Sequence, residues 1–265
     1  MLEYCGVKRS TFYANIKPTF DKYREIKLQI LDIYRKSGKK KGYRWITSDL
    51  RKCGFIINHK TVLRLMQQLG IKSIVRAKKY NSYINETSGI GVENILKRDF
   101  STTGINQKWT TDVTEFKVCG KKIYLSAVMD MHSKEIIAHS VSFSPNLKLV
   151  MSMIKIAFKK IKNPSGVIIH SDHGWHYRHI SYKNFLRKKG AVQSMSRKGN
   201  CLDNSIMENF FGLLKQEIYY GVVYYSYEEL KSEIERFIKY YNEERIKEKL
   251  GWMSPVQYRL SLLAA

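Results

Sequence analysis

The stretch Gly166-Val-Ile-Ile-His-Ser-Asp172 lies at the centre of the pattern that decides the fold of this chain. Its apolar and β-branched residues, which stop at His173-Gly174, predict a short buried strand that ends at an aspartate. A helical pattern precedes this strand over residues 147–161, and another follows it over residues 182–189. We therefore predict an α/β domain in which strands and helices alternate.

Other strands are predicted on both sides of this stretch. Three β-rich runs lie upstream and one lies downstream: residues 109–116, 122–130, 135–142 and 192–195. A helix that contains Glu208 comes next, and a longer helix over residues 227–241 carries an apolar stripe that we assign to core packing. This order predicts a mixed five-stranded sheet flanked by helices.

The front of the chain predicts a small helical domain. Helical patterns cover residues 22–36, 46–53 and 59–69, and Asn58 is placed to cap the third helix. Two short helices joined by a brief turn fit a helix-turn-helix, with Lys60 and Arg64 pointing outward to DNA. A plain three-helix bundle with solvated charges is the alternative.

A half-motif opens the chain. Residues 5–14, which include Lys8 and Arg9, are similar to the recognition half of a helix-turn-helix whose first helix is missing. The alternative is a frayed terminus. Residues 71–105 predict a basic linker between the helical region, residues 1–70, and the α/β domain.

The charge of the chain points to a polyanionic partner. It has 47 Lys and Arg residues against 23 Asp and Glu, a net charge of +24, and residues 1–100 alone hold 22 basic and 8 acidic residues. Neutralisation of phosphates by Lys and Arg drives nucleic-acid affinity. The chain contains no apolar run of membrane-spanning length and no signal-peptide pattern. Its four widely spaced cysteines predict free thiols in a reducing cytoplasm.

Three acidic residues predict the chemistry. Asp112 and Asp172 lie in strand patterns, 59 residues lie between them, and Glu208 follows Asp172 after a gap of 35. Carboxylates are the oxygen ligands that Mg²⁺ prefers. A pair of such ions can activate a nucleophile and stabilise a leaving oxygen in phosphoryl transfer. Scattered, solvated acids are the alternative for any such trio.

Five ordered motifs give these acids a family context. The chain resembles the DDE transposases of bacterial insertion sequences from about Gly6 to Tyr258, and is most similar to the OrfB-type products of the IS-three family, which are relatives of retroviral integrases. The motifs are residues 94–100, His170-Ser-Asp-His-Gly174, residues 195–205, Glu208-Asn-Phe-Phe-Gly-Leu-Leu-Lys215 and the late pair of residues 241–245 and 250–255.

The resemblance implies an RNase H-like integrase core over residues 106–225 and a C-terminal helical extension over residues 226–265. It implies that Asp112, Asp172 and Glu208 bind Mg²⁺ or Mn²⁺, two ions per active site. It further implies DNA contacts at Lys215 and Gly212, and the loop before Glu208 adds Arg197 and Lys198 as phosphate ligands.

The sequence departs from the family pattern at three positions. His173 and His176 stand where many relatives have glutamine, and Lys247 stands where they have histidine. The first departure creates a series of histidines at three-residue intervals, which are His170, His173, His176 and His179. A zinc site is one interpretation of this series, although the glycine and the predicted loop between these residues disfavour regular convergence.

The function implied by the resemblance is metal-dependent cleavage at the ends of an insertion sequence, followed by strand transfer. The expected partners are double-stranded DNA of the terminal repeats and of the target, further copies of the chain in a homo-oligomer on DNA, and an upstream OrfA-type product or fusion. The expected location is the cytoplasm, at the nucleoid. Two rivals are a non-catalytic DNA-binding regulator derived from a transposase and an RNase H-type or junction nuclease.

Overall fold

The computed structural model of the chain describes residues 21–74, 92–197 and 201–264. Its contacts divide the chain into two compact units, Met1–Ala77 and Lys78–Ala265, each described by itself below. None of the helices in the described residues is both long and apolar enough to pass through a membrane.

The first unit contains the three predicted helices. They are α1 (Arg24–Lys36), α2 (Tyr43–Lys52) and α3 (His59–Gln68). The apolar positions that gave the helical spacing form one core, which includes Ile30, Leu50 and Leu65. Asn58 caps α3 as predicted, because its side-chain oxygen accepts a hydrogen bond of 2.8 Å from the backbone N–H of Lys60. This unit is the predicted helix-turn-helix-like region.

The second unit follows the predicted alternation of strands and helices. Its elements are β1 (Lys108–Val118), β2 (Lys121–Asp130), β3 (Ile136–Ser142), α4 (Leu147–Lys159), β4 (Ile168–Ser171), α5 (Trp175–Arg178), α6 (Ile180–Lys188), β5 (Val192–Met195), a 3₁₀ turn (Cys201–Asn204), α7 (Ser205–Leu214), α8 (Tyr227–Glu243) and α9 (Pro255–Ala264). The short α5 and the terminal α9 are additions to the predicted elements. One turn of π-helix, Lys215–Tyr219, continues directly from α7.

The sheet is mixed and has five strands, in the order β3-β2-β1-β4-β5. Strands β1, β2 and β3 pair antiparallel, as consecutive hairpin strands do. Strands β1, β4 and β5 pair parallel, because helices connect β3 to β4 and β4 to β5. The predicted mixed five-stranded α/β fold is confirmed, and β1 is its central strand.

Helices cover both faces of the sheet. On one face, side chains of β1 and β2 pack against α7 and α8, with Phe116, Leu125, Phe210 and Ile234 in the core. On the other face, the sheet packs against α4 and α6. The apolar stripe of α8 is thus core packing, as predicted, and the helix shares its core with α7.

Residues 92–105, which we call the strap, lie against the sheet domain. Leu96 is 3% exposed. The backbone N–H of Ile95 donates to Oγ of Ser194 at 3.1 Å, and the N–H of Met195 donates to the carbonyl of Glu93 at 3.3 Å. The last part of the predicted linker, residues 71–105, is therefore fixed to the sheet domain, and residues 75–91 lie outside the described residues.

Candidate active site

Asp112 and Asp172 lie on neighbouring strands. Asp112 is in β1, and Asp172 directly follows β4, which pairs with β1 from Lys108–Ile168 to Thr110–His170. The same register, continued by two residues, sets Asp112 beside Asp172. Because side chains alternate along a strand, Asp112 shares its face with Phe116, which packs against α7. Glu208 is in the first turn of that helix.

The charges of Asp172 and Glu208 act on the carboxylate of Asp112. The pKa of Asp112 is raised to about 7, first by burial and second by the negative charge of Asp172, and the charge of Glu208 adds to the effect. A 2.7 Å hydrogen bond from the N–H of Val113 and the positive charge of Lys215 act in the opposite direction. The fold therefore brings the predicted trio together.

A tight turn holds the carboxylate of Asp172. The N–H of Gly174 donates to Oδ1 of Asp172 at 2.9 Å. A Cβ at Gly174 would lie 2.8 Å from Nε2 of His176 and 3.0 Å from Oδ1 of Asp172. Only glycine fits this position without a shift of its neighbours, which gives a structural reason for the His170–Gly174 motif.

Glu208 is held in place by the elements around it. Its helix, α7, buries Met207 and Phe211 in the core. The residue before α7, Asn204, is 4% exposed; its Oδ1 accepts a hydrogen bond from Oγ1 of Thr110, and its Nδ2 donates to the carbonyl of Thr111 at 3.4 Å. The start of α7 is thus tied to β1 next to Asp112.

Lys215, at the other end of α7, lies near enough to Asp112 for their charges to interact. Its Nζ lies 5.2 Å from the centre of the Phe116 ring, in a cation–π contact. Burial lowers the pKa of Lys215, and the charges of Glu115 and Asp112 oppose that shift. The side chain of Lys215 is therefore partly buried beside Asp112 rather than fully solvated.

Family profiles match both units of the chain. The profile described as "Integrase core domain" matches residues 103–201, and a second profile of the same description matches residues 208–263. The profile described as "HTH-like domain" matches residues 21–79.

Curated relatives decide the family. The chain is 44% identical over 261 residues to "Putative transposase InsK for insertion sequence element IS150" of Escherichia coli (strain K12), covering 98% of this chain and 92% of the relative. It is 31% identical over 237 residues to "Transposase InsF for insertion sequence IS3A" of the same organism, covering 89% and 82%. The chain belongs to the IS3 family of insertion-sequence transposases.

A solved structure shows the same fold as the transposase. It is titled "CryoEM structure of simian T-cell lymphotropic virus intasome in complex with PP2A regulatory subunit B56 gamma". The TM-score is 0.50 and the sequence identity is 13%, over 87% of the transposase and 74% of that chain. The predicted RNase H-like, integrase-type fold is confirmed.

Arg197 has a partner that the sequence did not predict. Two N–H groups of its guanidinium donate to the carboxylate of Asp203, at 3.1 Å from Nε and 3.0 Å from Nη2. Burial acts to raise the pKa of Asp203, but the hydrogen bonds from Arg197 and Arg98 outweigh it and hold that pKa well below its usual range. Lys198, predicted beside Arg197 as a phosphate ligand, lies outside the described residues. Gly212 lies in α7 and is partly exposed.

Asp203 is the residue that sequence reasoning missed. It is 1% exposed and accepts hydrogen bonds from the strap as well as from Arg197. Its partners in the strap are more than 100 positions away in sequence, so no local periodicity reveals them. The available signal is that Asp203 lies in the family motif at residues 195–205 and its strap partners lie in the motif at residues 94–100.

Three of the four histidines in this series make separate local contacts. Nδ1 of His170 lies 2.9 Å from Oγ of Ser194, and burial lowers the pKa of His170 to about 4. His173 bonds to the carbonyl of Ser196, and His179 caps α6. Within the described part of the chain, no three His, Cys, Asp or Glu side chains are grouped closely enough to hold a metal ion. The zinc interpretation has no support there, and the acidic trio is a set of neighbours without a closed cage.

The predicted DNA contacts of the first unit lie on its surface. Lys60 and Arg64 are both exposed on α3, and the guanidinium of Arg64 lies 5.6 Å from the centre of the Tyr23 ring. Lys8 and Arg9 lie outside the described residues. Of the four cysteines, Cys53 and Cys119 are free and exposed.

Proposed function

We propose that the transposase catalyses Mg²⁺-dependent cleavage at the ends of its insertion sequence and then strand transfer by transesterification. The observation that carries this proposal is geometric: the register of β1 and β4 sets Asp112 beside Asp172, and α7, which carries Glu208, packs over the same face of the sheet. Three carboxylates are concentrated where a β strand, a strand end and a helix meet. Such a concentration of negative charge is costly to the fold and is typical of a functional site.

The donor atoms of the three side chains are of the kind that a divalent cation prefers. All their ligand atoms are carboxylate oxygens, which Mg²⁺ and Mn²⁺ prefer. A cation would favour the ionised form of Asp112, whose pKa is raised by burial first and by the neighbouring carboxylates second. We assign two ions to Asp112, Asp172 and Glu208. When bound, the ions supply activation of the attacking oxygen and stabilisation of the leaving oxygen.

The reaction has two steps at phosphorus. In the first, a water oxygen forms a bond to the phosphorus at the end of the element, the bond to the 3′ oxygen breaks, and that oxygen leaves as a 3′-hydroxyl. In the second, the 3′ oxygen forms a bond to a target phosphorus and one target P–O bond breaks. Neither step needs a covalent bond between protein and DNA.

The basic groups around the trio position the DNA in this proposal. Lys215, beside Asp112, binds a phosphate of the terminal DNA, and the lack of a side chain at Gly212 lets the DNA backbone approach α7. Arg197, whose side chain is 56% exposed while it is held by Asp203, binds a phosphate on its outer side together with Lys198.

Recognition of the terminal repeats is assigned to the first unit. Lys60 and Arg64 on α3, with Lys8 and Arg9 upstream, contact the repeat DNA in this proposal. The transposase acts as a homo-oligomer on DNA, with an upstream OrfA-type product or fusion as a further partner, and works at the nucleoid in the cytoplasm.

Cleavage of a labelled terminal repeat tests the proposal. Glu208→Gln keeps the shape of the side chain but replaces an anionic oxygen, so it should reduce cleavage in Mg²⁺ by more than about 100-fold, since outer-shell changes alone cost about 10–100-fold. Binding of the uncleaved end should persist.

Glu228→Gln is the matched control for this experiment. Glu228 is an exposed glutamate in the first turn of α8, and Glu208 likewise lies in the first turn of α7. The control should cut at the wild-type rate. Wild-type cleavage by Glu208→Gln would show that Glu208 is not a metal ligand.

A further inference from the structure

Asp203 is a buried carboxylate that joins two distant segments. Its Oδ1 accepts hydrogen bonds from Nε of Arg98 at 2.8 Å and from Arg197. Its Oδ2 accepts from Nδ2 of Asn94 at 2.9 Å and from the backbone N–H of Arg197 at 2.9 Å. Asn94 and Arg98 belong to the strap, and Arg197 lies just after β5. One carboxylate therefore binds both the strap and the segment that follows β5.

The same carboxylate lies at the entrance to α7. Asp203 and Asn204 close the 3₁₀ turn that leads into the helix, and Glu208 follows within the first helical turn. Asn204 is hydrogen-bonded to Thr110 and Thr111, which directly precede Asp112. The start of α7 is thus held from two sides, by Asn204 to β1 and by Asp203 to the strap.

Stability alone is a weak explanation for this arrangement. Desolvation offsets much of the attraction in a buried ion pair, and apolar residues of similar volume often stabilise a fold as well or better. What a network of charge-assisted hydrogen bonds does supply is a fixed direction for each of its members. Here the members surround the turn that leads into the helix carrying Glu208.

We propose that Asp203 is a positioning residue, which fastens the strap and Arg197 to the start of α7 and so sets Glu208 opposite Asp112. The inference rests on the proposed function, because Glu208 is a metal ligand there. Asp203 itself touches neither DNA nor metal in this role. The family motifs at residues 94–100 and 195–205 then share one task.

The test compares Asp203→Asn with Asp130→Asn. Asp130 is a matched control, because it is likewise buried, at 0% exposed against 1% for Asp203. It accepts hydrogen bonds from Oγ of Ser133 at 2.8 Å and from the N–H of Asn106 at 3.2 Å, and it pairs with Arg259. Its contacts involve neither the strap nor the turn before α7. Both substitutions remove a buried charge, but only one removes it from the entrance to α7.

Two readouts separate positioning from stability. Hydrogen exchange of the first turn of α7 should be at least about tenfold faster in Asp203→Asn and unchanged in Asp130→Asn. Without DNA, binding of Mn²⁺ should weaken by about 10–100-fold in Asp203→Asn only, the range found for groups that orient metal ligands. End cleavage should need correspondingly more Mg²⁺, while binding of end DNA in EDTA stays at the wild-type level.

If Asp203→Asn does not fold, Arg98→Gln takes its place: it removes the hydrogen bond from the strap to Asp203 and leaves the carboxylate intact. Its hydrogen exchange and Mn²⁺ binding are then compared with those of Asp130→Asn. Wild-type exchange at α7 together with wild-type Mn²⁺ affinity would overturn the positioning role, as would equal losses in the Asp203 and Asp130 variants. A wild-type chain that fails to cleave DNA would count against the proposed function, whereas the exchange measurement would still decide the role of Asp203.

Discussion

One aspartate of this transposase, Asp112, lies where its negative charge lowers the stability of the fold. Asp112 is partly buried beside two other carboxylates, and its pKa is raised to about 7. An aspartate with such a pKa is costly to ionise. A structural role does not require that cost, whereas a site that binds a divalent cation does.

Asp112→Asn should therefore stabilise the metal-free protein. The ionisation penalty is absent below the ordinary pKa of 3.8, grows as pH rises towards 7 and is complete above it. In EDTA at pH 8 the variant should gain roughly 1–3 kcal/mol, because one pKa unit corresponds to about 1.4 kcal/mol and solvent screens part of the shift. Thermal unfolding at pH 8 and pH 5 measures the gain, which should shrink at the lower pH.

Asp99→Asn is the control for that measurement. Hydrogen bonds from Ser101 and Lys108 lower the pKa of Asp99 to about 2, so loss of its charge should not stabilise the protein at either pH. A lower melting temperature for Asp112→Asn than for wild type, in EDTA at pH 8, would contradict the electrostatic account of the site.

Lys215 supplies a second prediction for a single residue. Lys215→Ala should weaken binding of terminal DNA and lower strand transfer. If the side chain meets one phosphate, the slope of log affinity against log salt should fall by about one. Lys239→Ala, on the exposed side of α8, removes the same charge away from Asp112 and should leave the slope unchanged. Equal slopes in the two variants would remove Lys215 from the DNA contacts.

Sequence reasoning found the acidic trio but missed Asp203, for a physical reason. Asp112 lies within a strand pattern, Asp172 at a strand end and Glu208 in a helical pattern, so short stretches of sequence reveal them. The partners of Asp203 lie in the strap, and an ion pair between segments over 100 residues apart leaves no periodic pattern. The strap itself, rich in polar residues, resembles a linker because only Leu96 is deeply buried in it.

At the scale of elements, hydrophobic periodicity predicted all five strands and the main helices, while irregular turns were missed. Glu208 and Lys215 belong to one motif, which the sequence places in a single helix. The α-helix ends at Leu214 and one π-helical turn follows it. Apolar spacing carries no signal for such a turn, yet Lys215 still lies beside Asp112 because it packs over Phe116.

The helix α3 carries a prediction at this scale. Lys60→Ala and Arg64→Ala together should weaken binding to authentic terminal repeats more than to scrambled DNA, because the second helix of a helix-turn-helix reads base edges. Lys36→Ala, at the exposed end of α1, is the control. Gel-shift titrations with both DNAs measure the ratio of affinities. An unchanged ratio in the double variant would assign α3 to a plain helical bundle.

At the scale of the whole molecule, charge and fold point to the same substrate. A net charge of +24 favours DNA of any sequence, and that attraction falls steeply with salt. Attraction of this kind explains binding but not chemistry. The integrase-type sheet supplies the chemistry in this account, because it sets two aspartates on adjacent strands and a glutamate on the helix that covers them.

Strand transfer by the full-length protein tests that claim most directly. A labelled end that already carries a 3′-hydroxyl is incubated with supercoiled plasmid, with wild type or Glu208→Gln, in Mg²⁺ or in EDTA. We expect joined product from the wild type in Mg²⁺ alone, although the variant binds the end as tightly. Joined product from Glu208→Gln at the wild-type yield, or from the wild type in EDTA, would contradict metal-dependent transesterification by Asp112, Asp172 and Glu208.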